Sequence, residues 1–246
     1  MILTIARREL KAMFASPLAW VILAVVQFIC AWLYLTGVDN FLTIQPRLAS
    51  IPNAPGVTDL IAAPLLSSTS IVLLMVMPLL TMRLISEERR SGTLTLLMSA
   101  PISATEIALG KFLGMFAFML IVVAMISMMP FALLAGTQID LGKVFSGLVG
   151  LSLMVGAFSA IGLYLSSLTR QPVVAAVGTF GVLLLLWIFN FAAEKSSAFA
   201  WLSLMHHYNK LLRGLMNSTD VVYYVMVIAV FVILTIRRLD ADRLRS

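Results

Sequence analysis

Residues 65–135 divide into three pieces: LLSSTSIVLLMVMPLLTMRLI (65–85), SEERRSGTLTLLMSAPISATE (86–106) and IALGKFLGMFAFMLIVVAMISMMPFALLA (107–135). The outer two are long, nearly uncharged and apolar. Each is long enough to cross a hydrocarbon core of ~30 Å as a helix, which takes about 20 residues. The polar piece between them is too short to form a domain and too charged to lie in lipid. Two spans joined by a compact polar connection is therefore the first element read. The rest of the chain has the same character. Hydrophobic residues make up 61% and charged residues 11% of it, with mean hydropathy +1.03. Soluble domains carry roughly 45–50% apolar and about 25% charged residues. A water-soluble fold of this size could not hide so much apolar surface, so lipid is the solvent for most of the chain.

Six such stretches are expected as spans: Leu18–Gly37, Leu65–Ile85, Ile107–Ala135 (interrupted by Pro130), Val144–Leu168, Val173–Phe191 and Val221–Ile236. Helices satisfy their own backbone groups in lipid. Strand-period alternation is absent, which argues against a membrane β-barrel. The first stretch follows a basic segment, but its length and the absence of an Ala-x-Ala-like site read as a retained helix rather than a cleaved leader. The fold class expected is thus an all-α membrane protein with six transmembrane helices.

Charge placement orients the spans. With both termini on one side, that side holds Arg7, Arg8, Lys11, Arg83, Arg89, Arg90, Lys111, Arg170, Arg237, Arg238, Arg243 and Arg245, or twelve of the 17 basic residues. Arg47, Lys143, Lys195, Lys210 and Arg213 fall on the other. The positive-inside rule puts both termini in the cytoplasm, and an even number of spans agrees. The net charge of +6 thus reads as topology, with no nucleic-acid partner expected.

Three pieces besides the 86–106 connection lie outside the bilayer. Residues 1–16 are amphipathic: Ile2, Ile5, Leu10, Met13 and Phe14 share a face, and Arg7, Arg8 and Lys11 cover the rest. Such a helix lies in the interface near anionic lipid, or simply caps the first span. Val38–Pro64 carries Pro46, Pro52, Pro55 and Pro64 and reads as mostly loop. Residues 192–220 have helical apolar spacing but are too short to span twice. A re-entrant or interfacial helix pair fits, with Trp201 and Tyr208 at headgroup level.

The 86–106 connection has internal order. Glu87–Arg90 is a run of four charges, Ser91-Gly92 breaks it, Thr93–Met98 is a short apolar turn, and Pro101 ends that turn. Ser103-x-x-Glu106 is a capping box that starts the next helix. A short apolar-faced helix with charges on its rim suits a docking knob for a cytoplasmic partner. The plainer reading is a solvated loop whose charges fix topology.

The stretch MRLISEERRSGTLTLLMSAPISATEIALGKFL, Met82–Leu113, resembles ABC-2-type transporter permeases, the gliding-motility (GldF-like) group most of all. RRELKAMFASPLAW, Arg7–Trp20, is similar to the same group, and the six-span pattern covers essentially the whole chain. One position departs: Thr95 stands where members often carry an acidic residue. The resemblance implies a permease subunit in a bacterial cytoplasmic (inner) membrane. It implies a second permease, identical or related, a separate cytoplasmic ABC ATPase subunit, and an extracytoplasmic accessory membrane protein. It places the ATPase-coupling segment at Arg83, Glu87, Glu88, Arg89, Arg90, Gly92, Thr93 and Leu94. Closure of the ATPase subunits would push this segment, and the capped third span would carry the push as a rigid-body tilt. No Gly-x-x-x-x-Gly-Lys-Ser/Thr occurs, since Gly110-Lys111 runs into Phe112 without the earlier glycine. No cofactor is expected in this chain, ATP and Mg being bound by the ATPase partner.

Other candidates are few. Gln27, Asn190 and the Ser67–Ser70 cluster are the polar groups within spans, facing a pathway or hydrogen-bonding between helices. Gly110-x-x-x-Gly114 and Gly156-x-x-x-Ala160 allow close helix approach, within the subunit or at an interface. His206 and His207 are adjacent, so they diverge on a helix and make poor joint metal ligands. Cys30 reads as a small buried hydrophobe. A non-transporting scaffold would leave the ordered charged connection without purpose. An intramembrane enzyme would need a nucleophile and base at membrane depth.

Overall fold

The computed structural model describes residues 1–48, 55–94, 102–192 and 197–244, which are helical with no strand among them. The helices are α1 (Ile2–Ala15), α2 (Pro17–Leu48), α3 (Ala63–Thr81, entered through a π-helical turn at Thr58–Ala62) and α4 (Ser86–Ser91). They continue as α5 (Ala104–Ala132), α6 (Leu141–Leu168), α7 (Pro172–Ala192), α8 (Ser197–Leu202), α9 (Leu204–Leu212) and α10 (Ser218–Arg243). Among the described residues six helical segments are long and apolar enough to cross a membrane, and they match the six expected spans. The chain is an all-α, multi-pass membrane protein.

Helix α6 is the hub, packing against α3, α5, α7, α9 and α10. Two-thirds (67%) of its most apolar window is buried, against 22% for α2 and 17% for α7 on the flanks. Its sequence explains this. Without a hydrophobic driving force between helices in lipid, close backbone approach gives the packing energy, and small residues permit it. Gly147, Gly150, Gly156 and Gly162 each face a neighbour. A Cβ at Gly162 would lie 2.2 Å from Thr81 Oγ1 on α3, and one at Gly156 would lie 3.0 Å from Ile228 on α10. The flanking helices instead expose large apolar side chains, such as Phe28 and Trp32 on α2 and Val173 and Val177 on α7. Such exposed apolar surfaces on membrane helices suit a lipid environment.

Several expectations need correction. The stretch read as loop after Gly37 is helical to Leu48, and helix resumes at Thr58. Pro46 lies in the last turn of α2 and Pro64 in the first turn of α3. Pro64 follows closely on the π-helical turn at Thr58–Ala62, and Pro46 disturbs only a helix about to end. Pro46 and Pro64 therefore lie within helices rather than in a loop. Tyr208 is fully buried within the protein, where it donates to Leu66 C=O at 3.1 Å. Among the described residues of 192–220 are the two short helices α8 and α9; α9 packs on α6 and α7, while Trp201 stays exposed. Polar groups in the spans mostly bond their own helix. Thr81, Ser159, Thr179 and Thr235 each donate to the carbonyl four residues back, at 2.7–2.9 Å. Cys30 is fully buried, as expected, beside Thr69. Pro52, Thr95–Met98, Pro101, Lys195 and Arg245 lie outside the described residues.

Candidate coupling site

The chain's charged groups gather at two ends of the bundle. At one end α1, α4, the start of α5 and the end of α10 meet. Ser16, forced into extended geometry by the following Pro17, breaks α1 from α2. Pro17 then opens α2, where its missing N–H costs nothing. The elbow folds α1 back against α5. Trp20 Nε1 donates to Phe14 C=O at 2.7 Å, and the Phe14 ring packs edge-on to Phe118 at 5.3 Å. Gly110 and Gly114 form the floor of this contact. A Cβ at Gly110 would lie 2.6 Å from Ile5 Cβ, and one at Gly114 would lie 2.9 Å from Ala6 O. Of the two uses open to the Gly-x-x-x-Gly spacing, the structure uses it within the chain. The apolar face of α1 therefore packs on protein, and Arg7, Arg8 and Lys11 remain exposed.

The same contact brings in a charge that the sequence reading counted with the exposed connection. Lys111 is only 1% exposed. Its Nζ donates to Glu9 Oε1 on α1 and Glu88 Oε1 on α4, both at 2.8 Å. A lone cation inside an apolar helix start signals a partnered, functional group. That signal was present in the run around Lys111, but its partners were not.

Helix α4 is held at three further points. Thr81 ends α3, the chain turns through Met82–Ile85, and α4 begins at Ser86. The first N–H groups of a helix have no intrahelical acceptor. Here Ser166 on α6 supplies one: its Oγ accepts from Ile85 N and Ser86 N, each at 3.1 Å, and donates to Met82 C=O at 3.0 Å. Arg89 pairs with Asp242 at the end of α10, which also receives Arg238 at 3.6 Å. Gly92 closes the helix with φ 75°, a left-handed cap that favours glycine. Thr93 then resumes helical geometry, its hydroxyl 2.9 Å from that of Ser91, and Leu94 turns into the core. Ser166→Ala leaves two buried N–H groups unpaired and should cost about 1–3 kcal/mol. Thermal unfolding in detergent, with faster amide exchange at Ile85 and Ser86, checks it.

The expected coupling residues thus split into two groups. Glu88, Arg89 and Leu94 face inward and anchor α4. Arg83, Glu87, Arg90, Gly92 and Thr93 face outward. Arg83 and Glu87 form a loose pair at 3.9 Å, both about half exposed. Beside them a groove of about 430 Å³ is lined by Met82, Arg83, Glu87, Arg90, Ser91, Pro172 and Val173. At the start of α5 the capping box is present as expected. Ser103 Oγ accepts from Glu106 N at 3.2 Å, and Ser103 N donates to Glu106 Oε2 at 3.0 Å. Gln27 and Asn190 lie apart from this cluster, each half-buried in its own span. Gln27 Nε2 is buried without a partner.

The opposite end carries a second buried cluster that the sequence reading did not assemble. His207 Nδ1 lies 2.5 Å from Asp220 Oδ1, Nε2 lies 3.2 Å from Trp201 O, and the ring stacks on Tyr223 at 4.0 Å. Tyr223 and Tyr224 donate to the carbonyls of Leu202 and Leu204 at 2.9 and 2.7 Å. These donors satisfy carbonyls at the α8–α9 corner, a capping task. Both imidazole nitrogens thus face oxygen acceptors. His206 is less buried. Its pKa is pushed down, first by desolvation and then by the Lys210 charge. The two rings lie at 82°, in the divergent arrangement their adjacency implies.

A family model described as ABC-2 family transporter protein matches residues 3–244. No curated protein matches the chain.

Proposed function

Because the chain belongs to the ABC-2 family of transporter proteins, we propose that it is a permease subunit driven through α4 by a separate ATP-hydrolysing subunit. The observation that carries this reading is the division of α4 into an anchored inner face and an open, charged outer face. Glu88 ties it to α1 and α5 through Lys111, Ile85–Ser86 tie its start to α6, and Arg89 ties it to α10. A push on its outer face would therefore move four helices together. Rigid-body motion of packed elements is how small displacements at one site become large ones elsewhere. The partner would bind ATP and Mg and seat on Arg83, Glu87, Arg90, Gly92 and Thr93 beside the α7 start.

In this reading the end bearing α1, α4 and the tail of α10 faces the cytoplasm of a bacterial cell. Support for that orientation is the basic residues gathered there. A second permease, identical or related, completes the pathway, and an extracytoplasmic accessory membrane protein receives the work. Support for both is the resemblance of Arg7–Trp20 and Met82–Leu113 to the gliding-motility group.

The test is a charge swap on the outer face. Glu87→Lys with Arg90→Glu should abolish co-purification of the ATPase with the tagged chain. The swap should leave the chain's own stability within about 0.5 kcal/mol, as for exposed sites away from buried networks. A complex that survives the swap with unchanged ATP hydrolysis would remove the coupling assignment.

A further inference from the structure

Where α1 turns into α2, a pocket of about 190 Å³ opens against the end of α3. Its walls are apolar, with Met13, Leu18, Ala19, Leu79, Leu80 and Leu84, and its charged members are Glu9, Arg83 and Glu87. The position of these two sets defines its environment. Pro17 begins one membrane span and Thr81 ends the helix of another, so the pocket lies at the depth where spans leave the hydrocarbon. Leu79 and Met75, four residues apart on one face of α3, are 45% and 59% exposed. They form an apolar track from the pocket toward the bilayer interior.

A pocket with an apolar track below and charges above suits an amphiphile. The signs of the charges narrow it. Arg83 has only the loose contact with Glu87 at 3.9 Å, beyond hydrogen-bond reach, so its planar fork is open to a phosphate. Lys111 holds Glu9 Oε1 at 2.8 Å, which leaves Glu9 Oε2 and the Glu87 carboxylate; these would repel a purely anionic headgroup but accept an ammonium. A choline head has no N–H to donate to them, whereas a primary amine has three. We infer that this pocket holds the headgroup of a phospholipid bearing a primary amine, its phosphate on Arg83 and its ammonium on Glu9 and Glu87, with its acyl chains along Leu79 and Met75.

Arg83 and Glu87 line both this pocket and the groove assigned above to the ATPase; the test contains no ATPase, so it reads the pocket alone. Delipidated full-length protein in detergent is titrated with dioleoyl phosphatidylethanolamine, phosphatidylcholine or phosphatidylglycerol, and the unfolding midpoint is followed. The ethanolamine lipid should raise the midpoint by roughly 2–4 °C more than the others, the shift about 1 kcal/mol produces in a chain of this size. Ala12→Trp, on the exposed side of α1 and lining the pocket, should fill it and erase that difference. Arg83→Gln keeps the pocket, removes the phosphate partner, and should erase it as well. Equal shifts from the three lipids would overturn the proposal, as would an ethanolamine preference that persists in either variant.

Discussion

Replacing Lys111 with methionine should destabilise the protein by about 3–5 kcal/mol, the range for removing one partner from a buried ion pair. Methionine keeps much of the apolar stem, so the loss is electrostatic rather than steric. It would leave the Glu9 and Glu88 carboxylates without their cation, and Glu88 Oε2 is already buried without a partner. Burying an uncompensated charge is what makes such changes costly. The companion experiment removes all three charges: Lys111→Met with Glu9→Gln and Glu88→Gln should regain most of the lost stability. Exchanging a whole buried ionic group for neutral residues is often close to neutral. Denaturation midpoints of the single and triple variants decide between charge and packing. A triple variant as unstable as the single one would show that packing is what matters at Lys111. In the proposed transporter the triple variant also separates stability from coupling. It should fold yet transmit less of a push from α4 to α1 and α5, read as lower transport at equal ATPase binding.

Gly114→Val should cost a comparable amount by a different route. A Cβ at that position would sit 2.7 Å from Glu9 Cβ and 2.9 Å from Ala6 O. Neither contact can yield by a side-chain turn, since a Cβ is fixed by its own backbone and the second atom is backbone itself, so α1 has to lift from α5. Overpacking of this kind costs about 1–3 kcal/mol. Lifting α1 also draws Glu9 away from Lys111, which adds part of the electrostatic loss. The control is Gly178→Val on α7, where nothing lies within 4 Å. It should change stability by no more than about 0.5 kcal/mol. Limited proteolysis of α1 alongside thermal unfolding checks the mechanism: Gly114→Val should expose the Arg7–Arg8 bond early, and Gly178→Val should not. Equal tolerance of both substitutions would mean that α1 is not seated on the glycine floor.

Parts of the candidate site were legible from local chemistry. The Ser103–Glu106 capping box was readable because its partners lie three residues apart. The apolar face of α1 was readable because helical period alone selects it. The destination of that face was not. Lipid and a glycine-floored helix both accept an apolar stripe, and only the approach of Gly110 and Gly114 to Ile5 and Ala6 settles which one receives it. Prolines misled for a related reason. A proline disfavours helix interiors but is tolerated at a first turn and costs little where a helix is about to end, so Pro46 and Pro64 did not mark a loop.

By itself the sequence determined six membrane helices, the gathering of both tails with the charged 86–106 connection, and a structured helix start after it. Those properties follow from bilayer thickness, from the long-range bias of basic residues, and from bonds between near neighbours. Only the tertiary structure decided which charges of the Glu87–Arg90 run anchor α4 and which are open. Successive residues on a helix point about 100° apart, so Glu87 and Glu88 are equivalent in a sequence until something fixes the helix's rotation. What fixes it comes from far along the chain. Lys111 lies 23 residues from Glu88 and 102 from Glu9, and Asp242 lies 153 from Arg89.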